Sequence, residues 1–309
     1  MNERILVTGA TGRHGGTGQH LVRLLIASGV RVRALVRTQD ERAKALAAMG
    51  AEAVVGDFGD LEGLKRALDG VTAASFNYPV NAGIVEAAAR FAEAGRAAEL
   101  RRVVVNSVGA AHPQSPSPLG RAQWLAERVL GWAGFRCIFL RVMAFYLENL
   151  LLLHGESIRQ ESVIRNAFGA AKLNWIAAKD ASRMLARLLL EPTLAGAEEL
   201  YPTGPASLSH LTHADVAREL STLLDREIRY EPISGPAWRT ELEGLIPRGE
   251  GVNPAMIEHI GIMASAFSKP GVRAAAPVSG DFARIVKEEP TTLAQFITEH
   301  RARLMPRAR

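Results

Sequence analysis

Ile5-Leu6-Val7 running into Thr8-Gly9-Ala10-Thr11-Gly12-Arg13-His14-Gly15-Gly16-Thr17-Gly18 is the stretch that decides the fold. A short apolar strand enters a glycine-dense turn, and the Gln19-His20-Leu21-Val22-Arg23-Leu24-Leu25 run that follows has helical spacing. A parallel sheet uses such a turn to present backbone N–H groups to a phosphate. The glycines permit the tight bend and the close approach, and the helix N-terminus adds the positive end of its dipole. Gly9, Gly12 and Gly15 satisfy one G-x-x-G-x-x-G spacing. Gly18 competes for the third place as the glycine that lets helix and strand pack closely, with 13–17 as an inserted loop, and this alignment is preferred. A bare glycine pattern says little; the strand before it and the helix after it make it informative.

Working outward, strand and helix signals alternate. Strands are expected at 30–36, 53–55, 71–76, 103–105, 135–142 and 173–177. Helices are expected near 41–49, 61–68, 84–94, 119–132 and 180–190. This rhythm with short connections is the mark of a doubly wound parallel sheet of the Rossmann type, an α/β fold. The His112-Pro-Gln-Ser-Pro-Ser-Pro118 segment is a loop, because proline lacks the N–H and fixes φ. Beyond 200 the rhythm changes. Thr212 with Asp215 opens a helix that reaches Leu224, residues 227–231 read as a strand, and Thr292 with Gln295 is a capping box for a final helix. Residues 1–152, rejoined by 173–192, are expected to form the Rossmann domain. Residues 153–172 and 193–309 are expected to form a smaller α/β substrate or lid domain.

The 309 residues, 48% hydrophobic and 22% charged, suit a globular protein with a large core. The net charge is +5, but Arg301, Arg303, Arg307 and Arg309 gather at the C-terminus and leave the body nearly neutral, so no direct nucleic-acid contact is expected. The one cysteine, Cys137, sits in an apolar run and forms no internal disulfide, which suits a reducing cytoplasm. With a strand starting near Arg4 and no apolar run approaching about 18 residues, neither a secretory signal nor a membrane span is expected.

The end of the second strand bears on the ligand. Sheets that prefer NAD place an acid there to accept from the ribose hydroxyls. Here Arg37 ends the strand, with Arg42 and Lys44 following, and Arg13 inside the glycine loop adds a further cation. A guanidinium suits a 2′-phosphate. NADP(H) is therefore the expected coenzyme, with NAD(H) left open through Asp40 and Glu41. Asp57 after the third strand is placed to accept from an adenine amino group, with Phe58 beside the ring; a turn-capping aspartate is the equal alternative. Asn77, Tyr78 and Pro79 end the fourth strand on the edge where a dinucleotide lies.

Taken together, Thr8-Gly9-Ala10-Thr11-Gly12, Leu35-Val36-Arg37, Val55-Gly56-Asp57, Asn106-Ser107-Val108, Ala126-Glu127-Arg128, Leu140-Arg141 with Phe145 and Glu148-Asn149, and Asp180 resemble an NmrA-like atypical short-chain dehydrogenase/reductase over nearly the whole chain. The resemblance implies an NAD(P)-binding protein, either a redox-sensing regulator or a reductase of quinones and dyes. Its substrate cleft would lie between the Rossmann part and the C-terminal part. It also implies coenzyme contacts from Ser107, Gln123 and Phe145, with Asn149 lining the pocket. The departures are informative. Active short-chain dehydrogenases use Ser, Tyr and Lys, in which Lys lowers the Tyr pKa; Ser107 remains, but Leu119 and Gln123 stand where Tyr and Lys belong. Ordinary alcohol–ketone chemistry is thereby disfavoured. Quinone reduction is not, because the phenolate product takes its proton from water.

Ser107 and Tyr146 are the candidate catalytic residues, with Tyr78 a further donor. No metal site is expected: His210 and His213 lack a third ligand. Ser107 with His112 lacks a nucleophile elbow. Trp124, Trp132, Trp175 and Trp238 are expected to pack in core or cleft. The function expected is NADPH-dependent reduction of a quinone-like or conjugated, aromatic small molecule. The alternative is an NADP(H) sensor acting through a regulatory protein partner. A homodimer, and an isomerase or cyclase that keeps the coenzyme structurally, stay open.

Overall fold

The computed structural model describes residues 3–12, 16–249 and 251–306. Six strands alternate with helices along the first half: β1 (Arg4–Val7), β2 (Arg31–Val36), β3 (Glu52–Val55), β4 (Ala73–Phe76), β5 (Arg102–Val108) and β6 (Arg136–Val142). The intervening helices are α1 (Thr17–Ala27), α2 (Glu41–Ala48), α3 (Leu61–Leu68), α4 (Ile84–Ala97) and α5 (Pro118–Trp132). Then come β7 (Phe145–Tyr146), α6 (Glu148–Leu152), α7 (Gly155–Glu161), β8 (Val163–Asn166), β9 (Trp175–Ile176), α8 (Ala178–Leu190) and β10 (Glu199–Leu200). The chain closes with α9 (His213–Leu224), β11 (Arg229–Pro232), α10 (Gly235–Glu243), α11 (Pro254–Phe267), α12 (Asp281–Val286) and α13 (Leu293–Leu304).

The main sheet is parallel, in the order β10-β6-β5-β4-β1-β2-β3. Successive strand residues face opposite sides, and the two apolar cores follow that parity. Ile5, Val7, Val32, Ala34, Val104, Ile138 and Leu140 pack under α1 and α8. Leu6, Leu35, Ala74, Phe76, Val103, Val105 and Phe139 pack under α3, α4 and α5. Helices on both faces make this the doubly wound Rossmann-type fold expected. Arg33 interrupts the apolar β2. It is buried, donates to the last carbonyls of α3 at Arg66, Ala67 and Asp69, and pairs with Glu52 at 2.9 Å.

Three expectations need correction. The strand expected at 173–177 does not join the main sheet; Trp175–Ile176 pairs instead with Phe145–Tyr146. The main sheet's last strand is the two-residue β10, beside β6. Consequently Leu200, Phe282, Ile285 and Val286 pack in the Rossmann core, while Leu147, Leu150 and Leu151 already belong to a third core with α9, α10, α11 and α13. Trp132 is neither core nor cleft, being 73% exposed on α5. Cys137 is buried as expected, and burial pushes its thiol up to about 12.

The capping predictions hold. Thr212 and Asp215 cap α9 reciprocally, as do Thr292 and Gln295 for α13.

Candidate functional site

The strand order reverses between β1 and β4, which opens a crevice at the carboxyl ends of the sheet. Thr8 and Asn77 stitch the two strand ends. The Asn77 N–H donates to Thr8 Oγ at 2.8 Å, and Asn77 Nδ2 donates to the Thr8 carbonyl and to Ser75 Oγ, each at 2.9 Å. Gly9 takes φ +66°, and a Cβ there would stand 2.8 Å from the Asn77 carbonyl oxygen. Gly12 closes the turn with its N–H on the Gly9 carbonyl at 3.0 Å. At Gly18 a Cβ would lie 2.4 Å from that same carbonyl, so Gly18 is a glycine that lets α1 pack closely on the turn, although α1 begins at Thr17, inside the loop expected at 13–17. Arg13 and Gly15 lie outside the described residues.

These features fit an anionic dinucleotide. The α1 N-cap is Gly16, which has no side chain to satisfy the first helical amides. Asn77 is 7% exposed, yet its Oδ1 has no hydrogen-bond partner. The cradle thus offers amide donors, space that only glycine leaves, and an orphaned acceptor.

At the rim, Arg37 is exposed just past β2. Arg42 is not free: its guanidinium pairs with Asp40 at 2.5 Å and donates to the Thr11 carbonyl at 2.8 Å. Asp40 in turn caps α2, and this bonding holds its carboxyl below the usual range. Lys44 pairs with Glu41. Asp57 Oδ1 accepts from the Gly59 and Asp60 N–H groups, which is the turn-capping arrangement. Phe58 packs against Phe76, Tyr78 and Phe91. The Tyr78 hydroxyl donates to the Ala82 carbonyl at 2.7 Å, and Pro79 is exposed.

The structure separates the two candidate catalytic residues. Ser107 faces the α5 side of the sheet, 2% exposed, and donates to Glu127 at 2.5 Å. Glu127 is fully buried and is held by Arg141, which also reaches Glu199 and Tyr201. Gln123 is buried one turn before Glu127. Tyr146 lies on the other face, where its hydroxyl donates to Asn106 at 3.5 Å and neighbours Thr17 at the start of α1. Burial pushes that hydroxyl up to about 12. The residues expected to touch the coenzyme therefore divide. Gly9, Thr11, Gly12, Gly18 and Asn77 lie in or against the opening turn, with the candidate catalytic Tyr146 beside Asn106 and the start of α1, whereas Ser107 and Gln123 are committed to the packing of α5.

Phe145 points into the third core, with ring centroids 5.1 Å from Phe168 and 6.0 Å from Trp175. His213 is stacked between Phe168 and Tyr230. Burial drives its pKa well down, so it is a neutral core ring.

Glu148 enters the sequence reading only as part of the Glu148-Asn149 motif, with no role of its own. Its carboxylate accepts the Ala178 N–H at 2.9–3.1 Å and so caps α8 from outside the helix. Desolvation, reinforced by Asp180, raises it to about 7. The Glu-Asn pair was visible in the sequence, but its burial was not.

Among the described residues no group of three His, Cys, Asp or Glu is placed to hold a metal ion, and no helix is long and apolar enough to cross a membrane.

Known proteins share this fold. An NAD(P)H azoreductase from Xenophilus azovorans is 31% identical over 233 residues, which is 74% of this chain and 77% of that protein. Among solved structures, the NADPH-dependent quinone oxidoreductase QOR2 of Escherichia coli, complexed with NADPH, superposes with a TM-score of 0.76 at 23% identity, covering 96% of this chain and 99% of that one. NmrA, a negative transcriptional regulator, superposes with a TM-score of 0.68 at 18% identity, covering 100% and 93%. The NmrA-like family profile matches residues 1–297, from the glycine turn into the final helix, and the chain belongs to that family.

Proposed function

We propose that the protein is an NADPH-dependent reductase of a quinone-like or otherwise conjugated, aromatic small molecule. The observation that carries this reading is the switch-point crevice, with its glycine cradle, uncapped α1 N-terminus and orphaned Asn77 Oδ1. The likeness to an NAD(P)H azoreductase and to an NADPH-dependent quinone oxidoreductase supports the same class of reaction.

When bound, the coenzyme supplies the hydride. The chain's own residues bind and orient. The amides of the turn and of the α1 N-terminus take the pyrophosphate. Arg37 meets the 2′-phosphate and Arg42 braces the turn from behind. Asp57 Oδ2, left over from the turn, serves the adenine end beside Phe58. Tyr146 keeps its proton at neutral pH, so its Oη–H serves as a hydrogen-bonding group of the pocket wall while the proton of the product comes from water. Leu119 and Gln123 bring neither acid nor cation. A quinone or azo acceptor tolerates this, because its reduced anion is stabilised by resonance and takes its proton from water, so positioning supplies much of the rate.

The test is fluorescence titration with NADPH and NADH, followed by coenzyme oxidation against quinones, azo dyes and enones. Tighter NADPH binding with turnover of at least one class is expected. Failure to bind either coenzyme overturns the reading. Binding without turnover across the panel establishes the second reading, a redox sensor, which the missing Tyr and Lys and the likeness to NmrA favour.

A further inference from the structure

Helix α11 belongs to the C-terminal part, yet it is fastened to the Rossmann edge at two points. Its N-cap residue Asn253 accepts the Met256 N–H at Oδ1 and donates from Nδ2 to the Val80 carbonyl at 3.0 Å. Val80 lies in the segment that leaves β4 just past Asn77. Two turns further on, His259 Nδ1 and Ser117 Oγ are 2.7 Å apart. Ser117 is fully buried and caps α5 at the end of the proline-rich loop that leaves β5. Strands β4 and β5 are neighbours, and in a parallel sheet the segments leaving their carboxyl ends border the ligand crevice. The two fastenings are six residues apart, about 9 Å along a helix. Helix α11 therefore spans from one of these segments to the other.

We propose that α11 is the wall closing the substrate end of the crevice, and that His259, through Ser117, is the positioning residue that seats it. The proposal rests on the reductase reading for what the crevice holds. The chemistry suits a fastening. A ring nitrogen and a hydroxyl exchange one hydrogen bond in a partly buried site, and Ser117 keeps its second role on the Gly120 amide. This pair is separated by 142 positions in sequence and joins the N-cap of α5 to a helix from the other half of the chain. Neither residue touches the glycine cradle, so the fastening acts on the acceptor and not on the coenzyme.

The whole chain is compared with His259→Ala and His259→Asn, since the asparagine amide sits where Nδ1 does. Two measurements are made: amide hydrogen exchange over 254–267, and the dissociation constant of a naphthoquinone on the NADP+ complex, which cannot react. In His259→Ala, exchange over 254–267 is expected to quicken by about tenfold, and the quinone to bind roughly three- to tenfold more weakly, as the loss of one net hydrogen bond allows. The affinity for NADP+ and the exchange of the β1–β5 amides should not move, and His259→Asn should restore both readouts. Unchanged exchange in His259→Ala overturns the proposal, as does an equal loss of NADP+ and quinone. A wild-type protein that binds no quinone refutes the reductase reading instead, and the exchange comparison then decides the fastening alone.

Discussion

Arg42, on the first turn of α2, reaches back across the opening turn and donates to the carbonyl of Thr11 at 2.8 Å while Asp40 holds its other edge. Arg37, five residues earlier, is exposed and has no hydrogen-bond or ion-pair partner among the described residues. The two arginines at the end of β2 thus have different work. Arg42 supports the loop that any dinucleotide would use. Arg37 is available to a group that only NADP(H) carries. Replacing Arg37 with Ala should weaken NADPH about ten- to a hundredfold, the worth of one charge-assisted bond, and spare NADH. Replacing Arg42 with Ala should weaken both coenzymes. Equal loss of NADPH and NADH in Arg37→Ala would remove the 2′-phosphate assignment.

Gly18 has no room for a side chain. A Cβ would stand 2.4 Å from the Gly9 carbonyl oxygen and 2.8 Å from the Ala10 Cα, and backbone cannot swing aside as a side chain can. Gly18→Ala should lower unfolding free energy by about 1–3 kcal/mol, the usual cost of overpacking, and weaken coenzyme binding as α1 is pushed off the turn. Gly131→Ala in α5 is the control, since its Cβ would meet nothing within 4 Å. That variant should gain up to about 1 kcal/mol from helix propensity and bind as the wild type does. Chemical denaturation of both variants, paired with titration, separates the two effects.

What sequence made visible, and what it hid, divides by distance along the chain. The glycine turn, the arginine after β2 and the reciprocal caps at Thr212 and Thr292 are set by residues within a few positions of each other, and each was readable. Strand β10 is two residues long, so no periodicity marks it, and only its place beside β6 makes it a strand. Trp132 reads as core by composition, but the helix rotation set by Gly120, Gln123, Glu127 and Leu130 turns it outward. Ser107 reads as catalytic because of its place at the end of β5. The pleat sends it towards Glu127, twenty residues on, while Tyr146 meets its neighbour Asn106 on the opposite face. His259 carried no signal at all, because its partner is 142 positions away.

Glu127 and Arg141 share a fully buried bidentate contact, and Ser107 completes it from β5. Taking one charge from such a pair strands the other in a poorly solvated site, which costs about 3–5 kcal/mol. Arg141→Met should therefore destabilise strongly. Glu127→Ala in the same chain should add much less than its single effect, because the orphaned charge is removed. Ser107→Ala should cost about 1.5–3 kcal/mol, the worth of a hydrogen bond to a charged group, and leave the turnover of any acceptor within a few-fold of wild type. A collapse of turnover in a folded Ser107→Ala protein would return Ser107 to the chemistry.

Glu148 gives the fold a dependence on pH whose sign is fixed by its surroundings. Its carboxyl faces the open N-terminus of α8, where Ala177 supplies no side-chain cap, and burial raises it to about 7. In the unfolded chain it titrates near the ordinary value for glutamate, about 4.3. A carboxyl raised on folding holds its proton more tightly in the native state. Its contribution to stability is complete below the unfolded value and is lost as the pH rises through about 7. The melting temperature of the wild type should therefore fall, relative to that of Glu148→Gln, between about pH 5 and about pH 8. The amide of the variant still accepts from Ala178, so the cap survives and only the titration is removed. Parallel melting curves for the two proteins across that range would mean that Glu148 is ionised throughout, with the α8 dipole and the Ala178 amide outweighing its burial.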